Sequence, residues 1–310
     1  MIGRLGAAEV GLLAALVGAC AGPGRPASLV TGSAQPLVLP LGVEDAVAGR
    51  QVAERARRAE VVYLGELHDN PAIHVAQAAI VRAMVAAGAR PALAFEMIPE
   101  GSQDQLTAAV RSDDPADAVG RRLGWTERGW PDFGMYWPLF ELARHARLPV
   151  VATDLDPDLT RQVSRGGLRA AGGAAARLAS ALPADPVVER AIARRLQAAH
   201  CNLFPEARIP AMVDSWYARN VTIARRLGDA LREARQVVVI IGRGHQYPGG
   251  VPAQLEALRP GTRQLVVGFV EVGDPSDGVE GRRPDMADVL WLVPGPDRPD
   301  PCRGLMHQVG

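Results

Sequence analysis

The sequence contains no lysine: each of its 34 basic side chains is an arginine. A P-loop nucleotide site needs a lysine on the phosphates, and Schiff-base or pyridoxal chemistry needs an amine nucleophile, so both classes are excluded. There is no excess of charge either, since 34 acidic groups balance the arginines to a formal net charge of zero. The electrostatic attraction that dominates nucleic-acid binding therefore has no global source, and no nucleic-acid partner is expected. Cysteine is scarce, three in 310 residues, and no CxxC spacing occurs, which argues against a structural zinc knuckle. What remains, 48% hydrophobic and 22% charged, is the composition of a folded globular protein. The length allows one large domain or two modest ones.

At the amino end, Arg4 precedes an apolar stretch from Val10 to Ala19 that is too short to span a bilayer and reads as a signal-peptide core. It closes on Val17-Gly18-Ala19-Cys20, small residues before a cysteine, as in a bacterial lipobox. Residues 1–19 are thus expected to be a lipoprotein signal peptide and Cys20 the lipidated residue; the alternative is an ordinary secretory signal cut near Ala19. Residues 20–44 read as a tether, 45–293 as the folded domain and 294–310 as a Pro/Asp/Arg-rich tail. The expected location is the bacterial cell envelope, lipid-anchored without a spanning helix. Ala21 is not the aspartate that often signals inner-membrane retention, which favours the periplasmic or surface face of an outer membrane. Cys201 and Cys302 are then left for one disulfide, and their spacing does not say whether they meet.

Four short apolar runs, 61–64, 92–95, 149–152 and 237–241, read as buried parallel strands. Helical patterns alternate with them, including 72–87, 139–146 and a block at 158–234 interrupted at Pro183, Pro186, Pro205 and Pro210. The expected fold is α/β: a mainly parallel central sheet flanked by helices, with an inserted helical subdomain at about 157–234. Segments 264–272 and 287–293 are two further strand candidates.

At their carboxyl ends the four runs reach Gly65-Glu66-Leu67-His68, Glu96-Met97, Thr153-Asp154 and Gly242-Arg243-Gly244-His245. In open α/β sheets ligands bind outside the carboxyl ends of the strands, so these groups are expected to share one crevice. A repeated strand-Gly-x-x-His unit says more than either copy alone, the glycine letting the backbone turn as it leaves the strand. Glu66, His68, Glu96 and His245 form a candidate divalent-metal or catalytic set, with His74 as a possible addition. The alternative for any single histidine here is a hydrogen-bonded loop residue. His145 reads as a solvated helix face, His307 falls in the tail, and Asp154 and Asp156 are candidate helix caps.

Six of the fourteen aromatic residues fall between Trp125 and Phe140, a density that means either core or a flat apolar ligand. Trp130, Phe133 and Trp137 would then cover such a ligand, and the phenol of Tyr136 could ligate a haem iron, while Arg121, Arg122 and Arg128 could neutralise propionates.

Leu64-Gly65-Glu66-Leu67-His68-Asp69-Asn70, Phe95-Glu96-Met97, Trp130-Pro131-Asp132-Phe133 followed by Pro138-Leu139, His200-Cys201 and Gly242-Arg243-Gly244-His245 leading to Gly250-Val251-Pro252 together resemble the ChaN-like haem-binding lipoproteins. These belong to the Tiki/TraB and erythromycin-esterase-like superfamily. The resemblance implies an α/β sheet with a helical subdomain and an envelope protein that binds haem in iron acquisition. In at least one member the haem is a cofacial pair with tyrosine ligands at a dimer interface, so a homodimer is possible here. Tyr136, Tyr217 and Tyr247 are all candidate ligands, with His68 and His245 also at the cofactor. The chain departs from the family at Met212 to Asn220, which alters that part of the pocket. Tiki-branch relatives resemble metal-dependent proteases that use the same Gly-x-x-His pair. A hydrolase, with a metal or with a histidine as general base on water, is therefore the alternative function.

Overall fold

The computed structural model describes residues 36–273, 287–299 and 302. The lipobox with Cys20, most of the tether and His307 lie outside the described residues. In chain order the elements are β1 (Leu37–Leu39), α1 (Asp45–Ala56), β2 (Val61–Glu66), α2 (Pro71–Ala86), β3 (Ala92–Pro99), α3 (Gln103–Arg111), α4 (Ala116–Arg122), α5 (Trp137–His145) and β4 (Val150–Asp154). They continue with α6 (Pro157–Gly166), α7 (Ala175–Leu178), α8 (Pro186–Ala199), α9 (Ile209–Ala230), β5 (Val237–Gly242), α10 (Val251–Leu258), β6 (Gln264–Val272) and β7 (Val289–Pro294). The strands form one seven-stranded sheet in the order β1-β7-β6-β2-β5-β3-β4, every pair parallel. All four apolar runs are strands, and both later candidates insert between β2 and β1. β1 lies inside the stretch read as a tether, so the sheet begins before residue 45.

Alternate residues of the central strands divide between two apolar layers, which is why these strands read as continuous runs. Val62, Leu64, Leu93, Phe95, Val238 and Ile240 pack with residues of α1, α2 and α5. Val61, Tyr63, Ala94, Val239 and Ile241 face Ile223, Ala224 and Leu227 of α9 and Val251 and Leu255 of α10. Two of the four prolines of the helical block start helices: Pro186 and Pro210 stand in the first turns of α8 and α9, where a missing N–H costs nothing.

Helix α9 belongs to two layers at once. Its carboxyl half lies on the sheet, while Val213, Trp216 and Ala218 of its amino half join small clusters with α6, α7 and α8. The junction between those halves sits at the carboxyl ends of β3, β4 and β5, and it carries Arg219 and Asn220.

Candidate functional site

Register places Glu66, the last residue of β2, opposite Gly242, the last of β5, while Glu96 lies one residue beyond the Phe95–Ile240 pair of β3 and β5. The four residues expected to share a crevice therefore come together at adjacent strand ends. The glycines act by what they leave out. A Cβ on Gly242 would stand 2.8 Å from His68 Nε2 and 3.2 Å from Glu96 Oε2, and one on Gly65 would overlap the Gln246 side chain. Gly242 has φ −59°, so its role is close approach and not a backbone turn that only glycine can make.

Each glutamate is buried and fully engaged. Glu66 Oε1 accepts from Tyr136 Oη at 2.6 Å and His68 Nδ1 at 2.8 Å, and Oε2 accepts from Gln77 Nε2 at 2.6 Å. Burial pushes the Glu66 carboxyl up, but its bond to His68 and the charges of His68 and His74 outweigh this, and the net direction is down. Glu96 Oε1 meets Arg219 Nη2 at 2.8 Å and His245 Nε2 at 3.0 Å, while Oε2 accepts the Gly242 N–H at 2.5 Å. Against the upward push of burial, the charge and hydrogen bond of His245 and the charge of Arg219 hold Glu96 well below the usual carboxylate range. Arg219 also grips Asp154 side-on, Nε and Nη2 each 2.8 Å from a carboxylate oxygen. Asp154 is thus a partner of Arg219 and not a helix cap. Asp156 stands at the start of α6 without a side-chain capping bond and accepts instead from Gly101 N at 3.2 Å.

The hydrogen bonds sort the histidines. Asn220 donates its amide to the Trp216 carbonyl at 2.6 Å, which turns its oxygen to His245 Nδ1 at 3.1 Å. With Glu96 Oε1 3.0 Å from its Nε2, His245 has a protein group at each ring nitrogen. Buried His74 is placed likewise, between Gln77 Oε1 at 3.1 Å and the His68 carbonyl at 2.9 Å. Both nitrogens of each ring are thus engaged within the protein in this arrangement. His68 differs: its side chain is 32% exposed, Nδ1 is tied to Glu66, and Nε2 makes no hydrogen bond among the described residues. Burial pulls the His68 imidazole down, but the bond to Glu66 and the charges of Glu96 and Glu66 overcome it, so its net direction is up.

The divalent-metal expectation finds no support in this arrangement. The carboxylate oxygens of Glu66 and Glu96 already accept from the protein's own donors, with Arg219 and the imidazole rings of His68 and His245 beside them. Among the described residues no group of three or more His, Cys, Asp or Glu is arranged to hold a metal ion.

The aromatic segment is mostly core. Trp125 and Phe140 are buried, Phe133 packs against both with ring centroids 5.0 and 4.9 Å away, and Trp137 is half-buried beneath Arg144. Tyr136, the leading haem-ligand candidate, is fully buried with its hydroxyl spent on Glu66, and burial with that neighbouring charge pushes the phenol far up. It therefore positions Glu66 and has no oxygen to offer iron. Trp130 alone of the segment reaches the exposed histidine, its ring edge-on to His68 at 4.9 Å. Tyr217 is half-buried with its phenol pushed up to about 12 by burial and the charges of Glu189 and Asp185, and Tyr247 lies 4.0 Å beneath the Arg195 guanidinium. Gln77, Arg219 and Asn220 were not singled out from the sequence. The one signal was that Arg219 and Asn220 fall in the segment that departs from the family pattern.

A family model described as haem-binding uptake, Tiki superfamily, ChaN matches residues 52–255. Among solved structures, ChaN of Campylobacter jejuni, described with cofacial haem binding, is 16% identical, with a TM-score of 0.60 over 81% of this chain and 98% of that one. The type III effector HopBA1 is 15% identical over 86% of this chain and 100% of its own, with a TM-score of 0.47. Erythromycin esterase EreC, also 15% identical, covers 70% of this chain and 71% of its own at a TM-score of 0.41. No protein of curated function matches the sequence.

Proposed function

The chain belongs to the ChaN family of the Tiki superfamily, and from that premise we propose that it binds haem at the carboxyl ends of β2, β3 and β5. The observation that carries this reading is His68, whose Nδ1 is held by the buried Glu66 while Nε2 makes no hydrogen bond among the described residues. A histidine that ligates a metal centre ordinarily donates its other ring N–H to a carboxylate, which fixes the ring and raises its basicity. Haem supplies a ferric or ferrous iron with open axial positions and two propionates. On the protein side, His68 offers the imidazole nitrogen, Glu66 and Tyr136 hold that ring in place, and Trp130 offers an apolar edge beside it. Titration of the purified protein with ferric protoporphyrin IX tests this. A saturable one-to-one Soret change in the wild type, weakened in His68→Ala, supports it, and no saturable change overturns it.

The reading extends to place and partner. A lipid on Cys20 would hold the protein in the cell envelope, where haem and iron uptake take place, and the Cys201–Cys302 disulfide suits an oxidising compartment. Partition of the wild type into detergent, and its loss in Cys20→Ala, is the expected result. A homodimer, expected from the family resemblance, is tested by sedimentation with and without haem.

A second reading is favoured by the same dyad. With Nδ1 fixed on a buried carboxylate, His68 Nε2 is arranged to take a proton from water, so the site could hydrolyse an ester without a metal. Ester hydrolysis by the wild type in the presence of chelator, abolished in His68→Ala, would establish it.

A further inference from the structure

Three arginines lie near the aromatic segment, and two are spent. Arg121 pairs with Asp117 at 2.7 Å and Arg122 with Asp114, both on the surface of the α4 region. Arg128 differs. It closes a short 3-10 turn, Thr126–Arg128, from which Gly129, with φ +80°, reverses the chain into Trp130. Trp130 touches His68 on one side of this loop. Asp154 is the largest favourable charge acting on Arg128, yet both Asp154 oxygens are taken by Arg219. Nε and Nη2 of Arg128 are shut off from solvent and have no hydrogen-bond partner among the described residues.

Those two nitrogens form one edge of the guanidinium. It is the same edge with which Arg219 grips Asp154 at 2.8 Å from each nitrogen, so the molecule itself shows what this edge accepts. A cation with two buried, unsatisfied donors destabilises a fold unless something else makes use of it. Burial also lowers the Arg128 guanidinium from its ordinary value, and a bound anion would relieve this.

We propose that Arg128 is the anion anchor of the site, taking a carboxylate of the ligand side-on through Nε and Nη2. Resting on the haem reading above, this assigns Arg128 to a propionate. A planar carboxylate matches the fork with two parallel N–H···O bonds, whereas a lysine in its place would offer only a point charge.

The test compares ferric protoporphyrin IX with its dimethyl ester, in which both propionates are neutral, by Soret titration of the wild type, Arg128→Gln and Arg128→Lys. The wild type should prefer the free acid by about tenfold or more, the gain of a charge-assisted pair. Arg128→Gln should bring the two ligands within about twofold by weakening the acid alone, and Arg128→Lys should fall between. If Arg128→Gln keeps the wild-type preference, Arg128 is not the anchor, although haem binding stands. If the wild type binds neither porphyrin, the haem reading fails and takes the propionate assignment with it. Thermal unfolding without ligand gives an independent readout. Arg128→Met removes the unsatisfied donors and should raise Tm, on the order of 2 °C, while a fall of several degrees would make Arg128 a structural residue and overturn the proposal.

Discussion

Tyr136 shows how one hydroxyl changes the reading of a whole segment. Its oxygen lies 2.6 Å from Glu66 in a fully buried setting. Tyr136→Phe should therefore cost roughly 1.5–3 kcal/mol, the range for a buried hydrogen bond to a charged group, in denaturant unfolding. Haem should still bind with a histidine-type Soret band, more weakly because Glu66 is less firmly held; complete loss of haem at unchanged stability would instead make the phenol a ligand. Glu96 and His68 carry opposite pH signatures. The Glu96 carboxyl is depressed in the folded state, so its contribution to stability is complete above its unfolded value, about 4.3, and is lost as pH falls through the lower folded value. The stability difference between wild type and Glu96→Gln should accordingly shrink in strong acid, as the Glu96 carboxylate is protonated. For His68 the folded value is raised, so its contribution is present below about 6.5 and fades as pH rises through the folded midpoint. Its imidazole resonances should titrate above that value in the wild type and fall back toward it in Glu66→Gln.

At the scale of elements, the site depends on strand ends that approach without side chains between them. Gly242 closes β5 where His68, two residues past β2, and Glu96 of β3 both need room. Gly242→Ala should preserve the sheet, because Val237 to Ile241 stay in register, yet push the His68 ring off Glu66. Circular dichroism close to the wild type, with haem affinity lowered about tenfold, is the expected pair of results. Unchanged affinity would show that the His68 ring can yield without consequence. α9 supports the opposite wall. Spanning 22 residues, it anchors its carboxyl half on the sheet and presents Arg219 and Asn220 from a fixed frame to Glu96 and His245.

Across the whole molecule, the Cys201–Cys302 disulfide ties the end of α8 to the segment beyond β7, closing 101 residues of sequence. Arg298 works within that segment, bonding Glu271 at the end of β6 and Asp69 just past β2. Reduction should lower stability by roughly 2–4 kcal/mol, mainly by freeing the unfolded chain. Cys302→Ser should unfold at the same denaturant concentration as reduced wild type and no longer respond to reductant. A response that persists in the variant would point to another thiol.

Much of this architecture was legible beforehand because its causes are local. Strands covered on both faces must be apolar at consecutive positions, so Val61 to Leu64 and Val237 to Ile241 announced a buried parallel sheet, and the titratable residues after them marked the crevice. The duplicated Gly-x-x-His placed His68 and His245 together for the same reason. What each side chain does there was not legible, because its partners come from elsewhere in the chain. The donor that saturates Glu66 is 70 residues away in Tyr136, and the one that shares Glu96 is 123 residues away in Arg219. An aromatic cluster looks the same in sequence whether it lines a ligand or fills a core. Only the tertiary structure decided that Tyr136 is turned inward, that His74 and His245 have partners at both ring nitrogens, and that His68 and Arg128 carry nitrogens with no hydrogen-bond partner among the described residues. Saturation of hydrogen bonds is set by everything packed around a group, whereas the periodicity that makes a strand is written in the strand itself.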